Sequence, residues 1–82
     1  MAELTPATSR AARGLLDWTQ RQLADAAGVG LSTVKGFEGG ISAPMRNNLE
    51  ALRRALVTAG IEFIPENGGG AGVRLRKLGG QP

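Results

Sequence analysis

Side chains able to make and break covalent bonds are scarce in this sequence. It holds no histidine and no cysteine, which removes imidazole bases, thiol nucleophiles, disulfides and the usual zinc ligands together. The carboxylates Asp17, Asp25 and Glu50 stand at surface-like positions, with no nucleophile or second ligand spaced to work with them. An enzyme is the weakest reading, and no catalytic residue, metal site or cofactor is expected. What remains is reversible hydrogen bonding and ion pairing. Ser32, Thr33 and Lys35 crowd into LSTVKG, where two hydroxyls donate or accept and an ammonium donates. Eight of the ten basic residues are arginine: Arg10, Arg13, Arg21, Arg46, Arg53, Arg54, Arg74 and Arg76. The planar guanidinium fork suits phosphate. The net charge of +3 leans only modestly toward polyanions, since small soluble domains carry a similar excess for solubility alone.

The elements that must position these groups centre on residues 19–38, TQRQLADAAGVGLSTVKGFE. Leu23, Ala24 and Ala27 fall on one face of a first short helix, and Val34 and Phe37 on the buried face of a second. Between them Gly28 can end a helix in the left-handed conformation, Val29 can turn inward and Gly30 can open the next helix. Ala24 is the most demanding position, because two closely crossing helices leave room for little more than a methyl. The spacing predicts a DNA-reading helix-turn-helix with helices over about Gln20 to Ala27 and Leu31 to Glu38.

Around this unit, Thr5 and Pro6 mark a helix start, and a first helix is expected over about Pro6 to Leu16 with Ala11, Ala12, Leu15 and Leu16 as its buried stripe. Gly14 is its weak spot, Asp17 breaks it, Trp18 serves as a core anchor and Thr19 caps the next helix. In the loop GGISAPMRN, residues 39–47, Ile41 is expected to tuck inward and Pro44 to fix a turn. Asn47 or Asn48 then caps a helix to about Ala59, with Leu49, Leu52 and Leu56 inward and Arg53 and Arg54 facing water. Gly60 ends it. Beyond, IEFIP and GVRLRK flank ENGGGAG, which predicts a β-hairpin pairing residues 61–65 with 72–77. Ile61 and Phe63 share one face, as do Val73 and Leu75. Such a ribbon is marginal alone and must pack on the helices or on a partner subunit. The glycine run is no phosphate cradle, because it leads into a strand where such cradles lead into a helix. The last residues, LGGQP, are expected to fray.

These readings give a mainly α fold: a small four-helix, repressor-like helix-turn-helix bundle followed by a C-terminal β-hairpin. Residues 5–60 form the DNA-binding domain and 61–82 a tail for dimerisation or for packing on the same domain. With 82 residues, one core is only marginally self-sufficient, so a compact bundle or oligomerisation is expected to help. No apolar run approaches membrane-spanning length and MAELTPATSR lacks the features of a signal peptide. A soluble, cytoplasmic protein with no membrane partner is expected.

Residues 10–56 resemble the phage-repressor and Cro-like (XRE-type) helix-turn-helix transcriptional regulators. The resemblance rests on R-x-x-L-x-W-T-Q-x-x-L-A-x-x-A-G-V from Arg13 to Val29, S-T-V-x-x-F-E-x-G from Ser32 to Gly40, and L-x-x-L-x-x-A-L from Leu49 to Leu56. It implies that Gln20, beside Arg21, contacts the DNA backbone and reaches toward the second helix of the motif. It also implies that Arg13 pairs with Glu38, a structural ion pair, and that Leu31, Ser32, Thr33, Lys35 and Gly36 face DNA from the recognition helix that Gly30 opens. Arg46 lies where loops of this family approach phosphate or the minor groove. Three departures stand out. Gly30 replaces a capping hydroxyl residue, Gly36 costs about 1 kcal/mol inside a helix unless it permits close approach to DNA, and strands stand where the family adds a fifth helix.

Ser32 and Thr33 can bond any base, and Lys35 can reach guanine or a phosphate. Leu31 either covers a thymine methyl or is a partly buried start of the helix. No Arg, Gln or Asn on this helix offers a bidentate pair, so modest specificity per half-site is expected, supplemented by DNA shape and dimer spacing. The leading expectation is a repressor acting on double-stranded DNA as a homodimer at a near-palindromic operator. The alternative is an antitoxin-type module whose hairpin and tail hold a toxin or other protein. For the hairpin arginines, Arg74 and Arg76, three roles are open: edge charges against aggregation, which is the default, a phosphate-binding strand, or a dimer-interface rim.

Overall fold

The computed structural model describes residues 4–76. Four helices, α1 (Pro6–Leu16), α2 (Gln20–Ala27), α3 (Leu31–Glu38) and α4 (Arg46–Thr58), precede two strands, β1 (Ile61–Ile64) and β2 (Gly72–Leu75). The first three helices occupy the spans expected from the sequence, and the starts of α1 and α2 are written in side chains. At α1 the Thr5 hydroxyl accepts from the Thr8 amide at 3.1 Å and the Thr8 hydroxyl accepts from the Thr5 amide at 2.8 Å. This reciprocal cap satisfies two amides that the helix itself cannot. Thr19 and Gln22 do the same at α2, at 3.1 and 2.8 Å. Gly28 closes α2 in the left-handed conformation (φ 72°), with the Val29 amide donating back to the Ala24 carbonyl at 3.1 Å. Asp17 closes α1 in the same way at φ 58°, and among the described residues only this non-glycine residue has positive φ.

The core gathers Leu4, Ala12, Leu23, Ala24, Val34, Phe37, Leu52, Leu56 and Ile61, all buried. α2 packs on both α3 and α4, and α1 on α3. The hairpin lies over the bundle, β1 against α4 and β2 against α1. Its antiparallel register pairs Ile61 with Leu75 and Phe63 with Val73, with Glu62 opposite Arg74. At its base the Arg76 amide donates to the Gly60 carbonyl at 2.7 Å.

Several local expectations give way. α4 begins at Arg46, not after an asparagine cap: Met45 is its N-cap, in extended conformation and without a side-chain cap bond, and the Leu49 amide donates to the Met45 carbonyl at 2.9 Å. Asn47 and Asn48 lie inside the first turn. Each cap preference is worth about 1 kcal/mol, which the added helical bonds offset. Arg46 is accordingly a helical residue and not a loop residue. Ile41 does not tuck inward; it is 85 % exposed. Its amide and that of Ser42 both fold back onto the Gly36 carbonyl, at 2.9 and 3.2 Å, after Gly40 turns the chain at φ 71°. That path directs the Ile41 side chain outward. On α1, Ala11 is exposed and Leu15 is 43 % exposed. The buried face runs through Thr8, Ser9 and Ala12 instead. Arg53 is half-buried, its guanidinium 5.3 Å from the centroid of the Phe63 ring, a cation–π contact supplied by the hairpin. The strands end at Ile64 and Leu75, shorter than expected. Lys77 and LGGQP lie outside the described residues.

Candidate nucleic-acid interface

The interface is built from the inside outward, beginning at the last residue of α3. Glu38 is 2 % exposed, and an ionised carboxylate so placed must be fully hydrogen-bonded to persist. α1 supplies most of the donors. Ser9 Oγ donates to Glu38 Oε2 at 2.5 Å. Arg13 Nε donates to both carboxylate oxygens, at 3.1 and 3.0 Å, and its Nη2 to Oε1 at 2.7 Å. Gln20, the first residue of α2, adds a bond from Nε2 to Oε1 at 3.1 Å. Arg13 also reaches the Trp18 carbonyl at 2.9 Å, and Arg10 donates to the backbone carbonyl of Glu38. Burial pushes the Glu38 carboxyl upward in pKa, but hydrogen bonds from Arg13, Ser9 and Gln20 and the Arg13 charge together hold it below the ordinary carboxylate range.

This network fixes three helices relative to one another through a single side chain. Arg13 and Glu38 form the ion pair expected from the sequence, and Gln20 joins them. Ser9 escaped the sequence reading, because a serine in a helix reads as a surface residue, and Arg10 was read only as one of the basic residues. The available signal was spacing: Ser9 stands three residues before Ala12 and four before Arg13, on the same helical face.

The outer side of α3 is divided from this buried side. Val34, Phe37 and Glu38 are buried, while Ser32 and Lys35 are exposed and Thr33 is half-exposed. Leu31 is partly buried and packs against the core. Gly30 is the N-cap, exposed and without a side-chain cap bond. Arg21 is exposed one residue from the partly buried Gln20, and Arg46 is exposed at the start of α4. Gly36 has a structural occupant beside it: a Cβ added there would stand 2.5 Å from Ser42 Oγ. The loop after α3 therefore lies against the bare backbone of the helix.

The described residues contain no cluster of His, Cys, Asp or Glu that could hold a metal ion. No helix among them is long and apolar enough to cross a membrane. Comparison with curated proteins returns no match. A family model described as Helix-turn-helix matches residues 10–56, the stretch containing the Arg13–Glu38–Gln20 network and all of α2 and α3. The chain therefore belongs to the XRE-type helix-turn-helix family of DNA-binding regulators.

Proposed function

We propose that the protein is a transcriptional repressor that binds a near-palindromic operator as a homodimer. In this reading Gln20, Arg21, Gly30, Leu31, Ser32, Thr33, Lys35, Gly36 and Arg46 form the surface turned to the duplex. The observation that carries it is the division of α3, with Val34 and Phe37 in the core and Ser32 and Lys35 in solvent. A helix packed from behind presents its hydroxyls and ammonium on a backbone that binding does not have to order, which leaves only the side chains' own rotamer freedom to be lost.

Sequence is read at base edges and register is set by phosphates. Ser32 and Thr33 bond base edges, Lys35 reaches a guanine or a phosphate, and Arg21 and Arg46 hold the backbone. Gln20 is half-committed, since its amide already donates to Glu38 and only its carbonyl end and remaining N–H are left for the duplex. Gly36 serves the surface by seating the 41–42 loop. Two recognition helices about 34 Å apart would read successive turns of one face of the duplex, and occupancy would exclude polymerase. Gel-shift titration against the DNA upstream of its own gene tests this; affinity no better than for random duplex at low salt sinks it.

A second reading, an antitoxin-type module that holds a protein through the hairpin, is favoured by the open groove between α4 and β1. A small toxin gene beside this one, and its co-purification, would support it. Because Ile61 is fully buried in the core, deletion of the hairpin would also damage the bundle. Surface variants on the hairpin are the discriminating test, and a toxin retained by all of them counts against it.

A further inference from the structure

The groove between α4 and β1 has a volume of about 490 Å³ and is walled by Arg53, Val57, Ile61, Glu62, Phe63, Pro65 and Arg76. Three features of it go unused by the helix-turn-helix. Arg53 Nε is buried with no hydrogen-bond partner, although its guanidinium is oriented by stacking on Phe63 at 5.3 Å. Arg53 and Arg76 form no ion pair among the described residues, and the carboxylate in the groove wall, Glu62, is held by Arg74 at 3.1 and 3.2 Å and feels the Arg76 charge only from a distance. Among the described residues β1 pairs with β2 alone, and its other edge has no strand beside it. A buried guanidinium nitrogen without an acceptor is costly, and two unpaired cations beside apolar walls attract a ligand that is both anionic and apolar.

We infer that this groove is a docking site for an extended, acidic segment of another protein, its carboxylates meeting Arg53 and Arg76 and its apolar side chains resting on Val57, Phe63 and Pro65, an assignment that rests on the protein-interaction reading above. An extended chain is the shape that lies along a strand edge, where main-chain bonds give affinity and alternate side chains give specificity. A second copy of this chain fits poorly. Its net charge is +3, its β2 strand brings Arg74 and the following Arg76, and its Glu38 and Glu62 are occupied by Arg13 and Arg74. Duplex DNA also fits poorly, because the groove is built from α4 and the hairpin, not from α2 or α3, and most of its wall would desolvate a phosphodiester without bonding it.

The test uses the full-length protein, ¹⁵N-labelled, titrated with an acidic-apolar hexapeptide alternating Asp or Glu with Val and Ile, and with the same peptide bearing Lys for each acid. Saturable shifts of the Arg53 side chain and the β1 amides by the acidic peptide, with dissociation in about the millimolar range or tighter, and none by the lysine peptide, are the expected result. Arg53→Lys keeps the charge but loses the stacked fork and should weaken binding on the order of fivefold. Arg76→Gln, at an exposed position, should weaken it with an unchanged spectrum elsewhere. Equal response to both peptides, or none to either, overturns the assignment. So does displacement of the acidic peptide from Arg53 by a short DNA duplex, which would make the groove a phosphate site, and so do dilution-dependent shifts confined to Arg53 and β1, which would make it a self-interface. A toxin that co-purifies and is lost in hairpin surface variants, while the peptide leaves Arg53 untouched, would sink the groove assignment and leave the protein-interaction reading standing.

Discussion

Ser9 of α1 and Glu38 of α3, 29 positions apart in sequence, meet through a hydrogen bond of 2.5 Å between two buried side chains. Removing the hydroxyl leaves one carboxylate oxygen with fewer donors in a site that water does not reach. Ser9→Ala is expected to lower stability by about 1–2 kcal/mol. Glu38→Ala, which strands Arg13 half-buried, should cost about 3 kcal/mol or more. Urea unfolding followed by Trp18 fluorescence checks both, and equal small losses would show that the network contributes little.

The same carboxylate sets an acid limit. Its pKa in the fold lies below the ordinary value it regains on unfolding, so its contribution is present in full above the unfolded pKa. It is lost as pH falls through the folded one. Melting temperature measured across the acid range should fall steeply below the usual carboxylate range in the natural protein and less steeply in Glu38→Gln. Glu62, whose pKa is also lowered, chiefly by the hydrogen bond from Arg74, is solvent-exposed and screened, so Glu62→Gln should leave the acid profile nearly unchanged. The opposite pattern would move the acid sensitivity to the hairpin.

Two helical glycines should respond differently to alanine. Gly14 is exposed and a Cβ there meets nothing within 4 Å, so Gly14→Ala should stabilise by about 0.5–1 kcal/mol. At Gly36 the same gain is opposed by Ser42 Oγ, which must rotate away. Gly36→Ala alone should therefore gain less, and Gly36→Ala with Ser42→Ala should recover the difference. A thermal-melt double-mutant cycle measures that coupling; strict additivity would mean that the loop does not rest on the helix.

On the outer face, Lys35→Ala should weaken DNA binding and lower the salt slope by about one unit, at unchanged stability, if the ammonium meets a phosphate. Loss of discrimination between operator and random duplex, with little change in slope, would place it on a base edge. Either result separates Lys35 from Glu38, whose replacement should weaken binding only together with the fold.

The extent to which this architecture was legible from residues varies along the chain in a physical way. Helix starts capped by the side chains of Thr5 and Thr19, and the helix end that Gly28 closes in the left-handed conformation, follow from local chemistry. The start of α4 does not, because Met45 caps with backbone alone. The ion pair of Arg13 with Glu38 came from the motif, but Ser9 and Arg10 joined it only through the packing of α1 on α3. Ile41 and Arg53 depend on partners distant in sequence or on the path of a loop, the first on the folded-back turn over Gly36 and the second on where the hairpin sets Phe63. The exposed face of α3 was legible from its period, because Val34 and Phe37 at i, i+3 fix which side is buried.

The bond from the Arg76 amide to the Gly60 carbonyl makes the hairpin a round trip: the chain leaves α4 at Gly60 and returns beside it. The tip at residues 67–70 is therefore free to grow without moving the point where the chain emerges. Since doubling a loop costs only about 0.6 kcal/mol in closure entropy, a fluorophore tag or epitope inserted between Gly68 and Gly70 should be carried on the outside of the molecule with the bundle undisturbed.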